Sequence, residues 1–277
     1  MIDALMVQRL WLIPVGFVIG TYGTLIGAGG GFALVPMLLL VYPLETPEVI
    51  TSISLAVVFF NALSGSVAYA RLGRVDYRSG FLFAAATVPG AILGALTTFS
   101  IPRPLFDLLL SVLMVVASLF LVFHTHPQNG SRGRSAQGCL HRNLVESDGT
   151  SHTFHYSPKL GVALSAGVGY LSSLLGIGGG IIHVPALVHL LNFPVHIATA
   201  TSQGVLTIMA LTGTTVHIVA GSFHHGIRRT IALSIGVLLG APLGAFLSKR
   251  IGPGWIIRAL ALALGLVGIR LLIPAIF

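Results

Sequence analysis

The chain has 277 residues, 55% of them hydrophobic and 8% charged, with fifteen Lys and Arg against seven Asp and Glu and a formal charge of +8. Soluble domains carry about 25% charged residues, so this composition excludes a soluble globular protein and describes an all-α polytopic membrane protein. The basic excess lies in short connections between apolar runs, with no basic stripe interleaved with aromatics, which speaks against nucleic acid and reads as a topology signal.

The acids Asp3, Glu45, Glu48, Asp76, Asp107, Glu146 and Asp148 all fall at run edges or in connections. None sits mid-membrane, where a proton or sodium relay would use it. The single Cys139 leaves no intramolecular disulfide and no Cys-based zinc site. Neither a metal nor a cofactor is expected. Met1 to Arg9 leads into an apolar run without an A-x-A cleavage pattern, so a retained first membrane segment is expected rather than a signal peptide.

In chain order, the first apolar segment, 10–42, is interrupted by GAGGGFALVP, Gly27 to Pro36. Three long apolar segments follow, at 47–70, 79–99 and 104–123. Residues 124–158 are polar, with His124, His126, His141, His152 and His155 among them, and read as a solvated cytoplasmic linker. The pattern then returns: 159–192, interrupted by GIGGGIIHVP from Gly176 to Pro185, then 196–219, 229–248 and 254–276.

The return is a true repeat. At a shift of 149 positions, eight of the 17 residues in Gly20 to Pro36 are identical: Gly20, Leu25, Gly27, Gly29, Gly30, Gly31, Val35 and Pro36. Chance at ordinary composition gives roughly one or two. Nearby shifts pair Ser54, Gly65 and Gly73 with Ser202, Gly213 and Gly221, and Gly90 and Gly94 with Gly240 and Gly244. The expected organisation is a first membrane repeat at 1–123, the linker at 124–158 and a second repeat at 159–277.

The glycine-broken segment is too long for one crossing, since 33 residues of helix span about 50 Å against a hydrocarbon core of about 30 Å. It is short for two crossings. A re-entrant hairpin turning at the glycines fits, and it gives each half three full crossings and makes the halves inverted. Loop charges do not choose between inverted and parallel halves; length favours inversion, and both arrangements put the linker in the cytoplasm.

A glycine turn opening a helix exposes unpaired N–H groups at the positive end of the helix dipole, which makes an anion site without a charged side chain. Candidate contacts are therefore Gly29, Gly30, Gly31, Gly178, Gly179 and Gly180, with Pro36 and Pro185 expected near the first turn of each half-helix, where a missing N–H costs little. Ser54, Asn61, Thr201, Ser202 and Gln203 are candidate polar contacts for the same anion, since hydroxyls and amides donate without burying a charge. Ser52 and Thr199 accompany them. His183 and His217, inside predicted membrane segments, are candidates for proton coupling. Gly90/Gly94 and Gly240/Gly244, at small-xxx-small spacing, read as helix-packing positions. A nucleotide P-loop is excluded, because neither glycine run is followed by Lys-Ser or Lys-Thr.

The doubled G-x-G-G-G-x-x-x-V-P, together with Thr201-Ser202, Ser64-Gly65, Thr212-Gly213 and LGRVDY at Leu72 to Tyr77, resembles the signature of the sulfite exporter TauE/SafE family. The resemblance spans both halves. It implies transport of sulfite, sulfoacetate or another organosulfonate across the inner, cytoplasmic membrane by a multi-pass protein. Ile53-Ser54 departs from the Thr-Ser expected in the first half. The expected partners are a small anion, the lipid bilayer and a second copy of the chain in a homodimer, with no nucleic acid. An anion channel and a cation or metal transporter stand as alternatives. An enzyme is not expected, since no nucleophile with a base and no H-E-x-x-H motif is present.

Overall fold

In the computed structural model, residues 10–123, 140–147 and 149–276 are described. Helix α1 (Leu12–Ile26) ends at the first glycine turn and α2 (Gly31–Val41) begins beyond it. Helices α3 (Pro47–Arg71), α4 (Tyr77–Thr98) and α5 (Arg103–Phe123) complete the first half. The second half repeats the order with α6 (Pro158–Leu175), α7 (Gly180–Pro185), α8 (Val195–Val219), α9 (Ile227–Leu247) and α10 (Pro253–Ile276). Among the described residues, six helices are long and apolar enough to cross a membrane: α3, α4, α5, α8, α9 and Gly254–Leu271 within α10. Large apolar side chains lie exposed along them, including Leu93, Val116, Leu239 and Leu266. In a membrane these face lipid, and the chain is a multi-pass helical membrane protein.

Why the glycines stand where they do is now plain. Gly27, Gly29 and Gly30 have φ of 79°, 73° and 83°, and Gly176, Gly178 and Gly179 have 68°, 79° and 67°. These are left-handed conformations that cost an L-residue about 1–2 kcal/mol each, so the chain reverses its local course with glycine alone. The prolines lie deeper than the sequence reading placed them. Pro36 is inside α2, and Pro185 ends α7, after which Ala186–Leu190 winds as a π-turn. A proline removes an i→i−4 bond and crowds the preceding turn, and a π-turn is one way a helix absorbs that.

The halves interlock. Helix α1 lies along α9 of the other half in the same direction, with Gly16 against the Leu233 carbonyl, Gly240 against Phe17 and Thr21, and Gly244 against Thr21 and Leu25. Helix α6 lies along α4 in the matching way, with Gly90 against Ala166 and Gly94 against Tyr170. A Cβ at any of these glycines would overlap main chain, so both small-xxx-small pairs do serve close packing. Helix α3 runs against α8 in the opposite direction: Thr51 meets His217, Leu55 meets Gly213, and Gly65 meets Gln203. Helix α5 runs against α10 likewise, with Ser118 Oγ donating to the Ala261 carbonyl at 2.8 Å and Gly268 beside Met114.

One expectation is corrected here. Where a loop is expected, the linker's described part is an antiparallel hairpin of β1 (Leu140–Val145) and β2 (Ser151–Tyr156), with His141 opposite His155 and Leu144 opposite His152, while the membrane part is built of helices as expected. Phe154 and Tyr156 are buried against Phe193, and Tyr156 also meets Phe83. Burial of two aromatic rings, each covering 150–250 Å² or so, fixes the hairpin on the helices. His124, His126 and Cys139 lie outside the described residues.

Candidate functional site

The two glycine turns meet at the centre of the interlocked halves. A Cβ on Gly31 would lie 2.6 Å from the Ile177 main chain, one on Gly180 would overlap Gly27 and Ala28, and Gly29 and Gly178 both rest on Val58. All six candidate glycines are buried. The turns therefore touch main chain to main chain.

The carbonyls of the turns are largely used and several N–H groups are not. Gly23 O accepts from Ala28 and Gly29, and Gly30 O accepts from Ala33 and Leu34; Ser172 O accepts from Ile177, and Gly179 O from Ile182 and His183. Among the described residues no acceptor takes the N–H of Gly30, Gly31 or Phe32 in the first turn, or of Gly178, Gly179 or Ile181 in the second. Buried N–H groups without partners are rare in folded proteins. Six within two abutting turns form a locally positive site facing the start of two helical segments, α2 and the run from Gly180 to Leu190.

The sequence-derived polar candidates divide. Asn61 and Gln203 are fully buried beside the first turn. Asn61 Oδ1 accepts from Thr24 Oγ1 at 3.1 Å while its Nδ2 has no partner, and Gln203 Nε2 reaches the Gly23 carbonyl at 3.5 Å while its Oε1 has none. Ser54 and Ser202 do not offer their protons to a ligand. Ser54 Oγ donates to the Gly176 carbonyl at 2.6 Å and Ser202 Oγ to the Gly27 carbonyl at 3.3 Å. Each closes the last turn of the other half's broken helix. Thr201 faces away, its Oγ1 accepting from the Asp76 N–H at 3.1 Å. Ser52 and Thr199 bond back to their own helix at Val49 and Val195.

The two histidines are held by packing partners. His183 Nε2 is 3.3 Å from Ser165 Oγ and its ring stands edge-on to Phe83. His217 lies between Thr51 Oγ1, at 3.3 Å, and Ser222 Oγ, at 3.1 Å, against the ring of Phe99. By the repeat, His217 stands where the first half has Tyr69, whose hydroxyl donates to the Thr24 carbonyl at 2.9 Å.

Sequence reasoning missed Thr24, Tyr69 and the pair Ser172 and Ser173. Both serine hydroxyls are buried without a partner, Ser172 against Gly179 and Ser173 against Gly213. The signal was available: polar residues in the last turn before a glycine break occur in both halves, as Thr24 and as Ser172-Ser173.

Charged groups close the two ends of the bundle. On the hairpin side Arg74 pairs with Glu146, Glu146 with His152, and Arg142 lies 3.6 Å from Asp76. At the other end Arg229 pairs with Glu45 at 2.7 Å and lies 3.8 Å over the Tyr42 ring, while Arg103 pairs with Asp107 and reaches the Glu45 and Leu39 carbonyls.

Comparison with known proteins gives a consistent picture. The profile of a family described as Sulfite exporter TauE/SafE matches residues 12–271. A Bacillus subtilis protein named "Probable membrane transporter protein YunE" is 31% identical over 272 residues, covering 96% of this chain and 98% of its own. A "Probable membrane transporter protein" of Methanocaldococcus jannaschii is 23% identical, covering 95% and 94%, and one from Xylella fastidiosa is 27% identical, covering 86% and 82%. No solved structure matches the chain.

Proposed function

The chain belongs to the sulfite exporter TauE/SafE family and is a membrane transporter, and from this we propose that it carries a small sulfur oxyanion or organosulfonate, of the sulfite or sulfoacetate type, across the cytoplasmic membrane by secondary transport. The anion is held between the halves by the free N–H groups of Gly30, Gly31, Phe32, Gly178, Gly179 and Ile181, with Gly29 turning the chain at positive φ, Gly31 and Gly180 allowing the close approach, and Asn61 and Gln203 as side-chain contacts. The observation that carries this reading is the abutment of two turns that both leave their N–H groups unpaired.

The halves act as inverted repeats, each broken segment re-entering the side it came from. Two features support this. Equivalent helices α3 and α8 run antiparallel, as do α5 and α10, and an axis that reverses a membrane-crossing helix lies in the membrane plane. Helix α2 starts beside Val58, midway along α3, and ends at the short connection to the head of α3. Rocking of one half against the other then exposes the crossing to each side in turn.

A carrier fits better than a channel, because Gly31 on Ile177 and Gly180 on Ala28 leave main chain against main chain where a continuous pore would pass. Uptake of radiolabelled sulfite by proteoliposomes tests the reading. Saturable uptake with accelerated exchange supports it; a conductance that rises linearly with sulfite marks a channel, and failure to move any sulfur oxyanion refutes the substrate class.

A further inference from the structure

We propose that His141 and His155 form a site for a divalent transition-metal ion of the Zn²⁺ or Cu²⁺ kind, which staples the two strands of the linker hairpin together. The site stands apart from the glycine turns and does not depend on the transport reading. Its basis is strand register. The Glu146 N–H donates to the Thr150 carbonyl at 2.9 Å, which makes residues 146 and 150 a hydrogen-bonded pair of the antiparallel ladder. Counting back, Leu144 with His152 and Arg142 with Phe154 are bonded pairs too, and His141 faces His155 in a non-hydrogen-bonded pair. Such pairs bring their side chains closest.

The two rings stand at chelating distance. Their centroids are 5.2 Å apart, with the planes tilted by 45°. Two imidazoles on one tetrahedral ion, each bonded at about 2.0–2.1 Å, have ring centres roughly 5 Å apart. The ion therefore fits between the rings with the strands where they are. His155 Nδ1 is buried and has no hydrogen-bond partner among the described residues, and an unused imidazole nitrogen beside a second imidazole is what a transition-metal ion takes up. His141 is exposed, so the pair is open to water.

The surroundings select the ion. The other residues on the outward face of the ladder are Asn143, Val145, Ser151 and Thr153. That face carries no carboxylate, which disfavours Ca²⁺ and Mg²⁺, whereas imidazole suits Zn²⁺, Cu²⁺ and Ni²⁺. No group of three or more His, Cys, Asp and Glu gathers for a metal among the described residues, so water completes the coordination. The pair sits at the end of the hairpin away from its turn, between Phe154 and Tyr156, which pack on Phe193. An ion there ties β1 to the strand that is anchored on the helices.

The test uses the full-length protein in detergent, without a polyhistidine tag. Zn²⁺ is expected to raise Tm with saturation at one ion per chain, and Mg²⁺ to leave it unchanged. The rise is expected to be lost in His141→Gln and in His155→Gln. Because His141 is exposed, His141→Gln keeps the fold and is the deciding variant. The rise is expected to persist in Cys139→Ser and in His124→Gln/His126→Gln. A wild type that shows no Zn²⁺ response, a rise that survives His141→Gln, or a rise lost with Cys139 each overturn the proposal. A second measurement does not depend on stability: the electron paramagnetic resonance spectrum of the one-to-one Cu²⁺ complex is expected to show coupling to two imidazole nitrogens, falling to one in His141→Gln. Coupling that is the same in both proteins contradicts the site.

Discussion

The first and second glycine turns share a backbone and differ in their surroundings. Both place three glycines at positive φ in the same spacing, and both leave N–H groups unpaired. Around the first turn stand Asn61, Gln203 and Thr24; the repeat equivalents of Asn61 and Gln203 beside the second turn are Met209 and Leu55, and the polar side chains described there are hydroxyls, those of Ser172, Ser173 and Ser54, with no amide. What is duplicated is main-chain geometry, and what has diverged is the side-chain lining. In the proposed mechanism the attraction common to both halves is therefore assigned to the backbone, and the amides at the first turn are assigned the orienting of the ligand.

The comparison breaks most sharply if the backbones are made unequal. Gly30→Val and Gly179→Val each force a β-branched residue to positive φ and press it on Ile19 or Ser172. Each is expected to abolish sulfite uptake, by more than about 100-fold on the scale of a misplaced binding group, while the protein still reaches the membrane; uptake at wild-type rate in both variants removes the turns from the mechanism. Gln203→Leu and Asn61→Leu test the asymmetry. Each is expected to raise the KM for sulfite roughly 10- to 100-fold, the size of one hydrogen bond to a charged group, whereas Met209→Leu beside the second turn changes it less than about threefold. Equal effects in all three would show that the amides have no special part.

Ser54→Ala and Ser202→Ala sharpen the comparison from the structural side. Each removes a cross-half bond to a carbonyl, at 2.6 and 3.3 Å, so each is expected to cost stability of about 1 kcal/mol, with Ser54→Ala the larger, and to leave the KM nearly unchanged. Thermal denaturation beside uptake kinetics separates this from ligand contact. The smallest effect is expected at the histidines. His183→Gln and His217→Gln keep a polar group against Ser165 or Thr51, and the pH profile of uptake should shift by less than about half a unit. A flattened profile in either variant would return that ring to a role in proton coupling.

The glycine turns, the duplication and the helix-packing pairs were legible in the sequence because glycine is required, not merely tolerated, where φ is positive or where two backbones touch. The direction of a hydroxyl was not. Ser54 and Ser202 look like ligand donors until the neighbouring carbonyls of Gly176 and Gly27 are in place, and Thr201, one residue before Ser202, points to a different layer. The hairpin was hidden by its composition. In SHTFHY the buried Phe154 and Tyr156 alternate with His155 in the manner of a half-buried strand, but LHRNLV leaves Leu140 and Val145 exposed and shows no such face, and the surrounding bias toward His, Ser and Arg read as loop.

The most direct test of backbone recognition is to label the glycine amides isotopically in the lipid-embedded protein and follow their magnetic resonance signals while sulfite is added. Saturable shifts confined to the glycines of the two turns, absent with an uncharged sulfone, are the expected result. Turn glycines that stay unmoved while transport saturates over the same sulfite range would contradict recognition by the main chain.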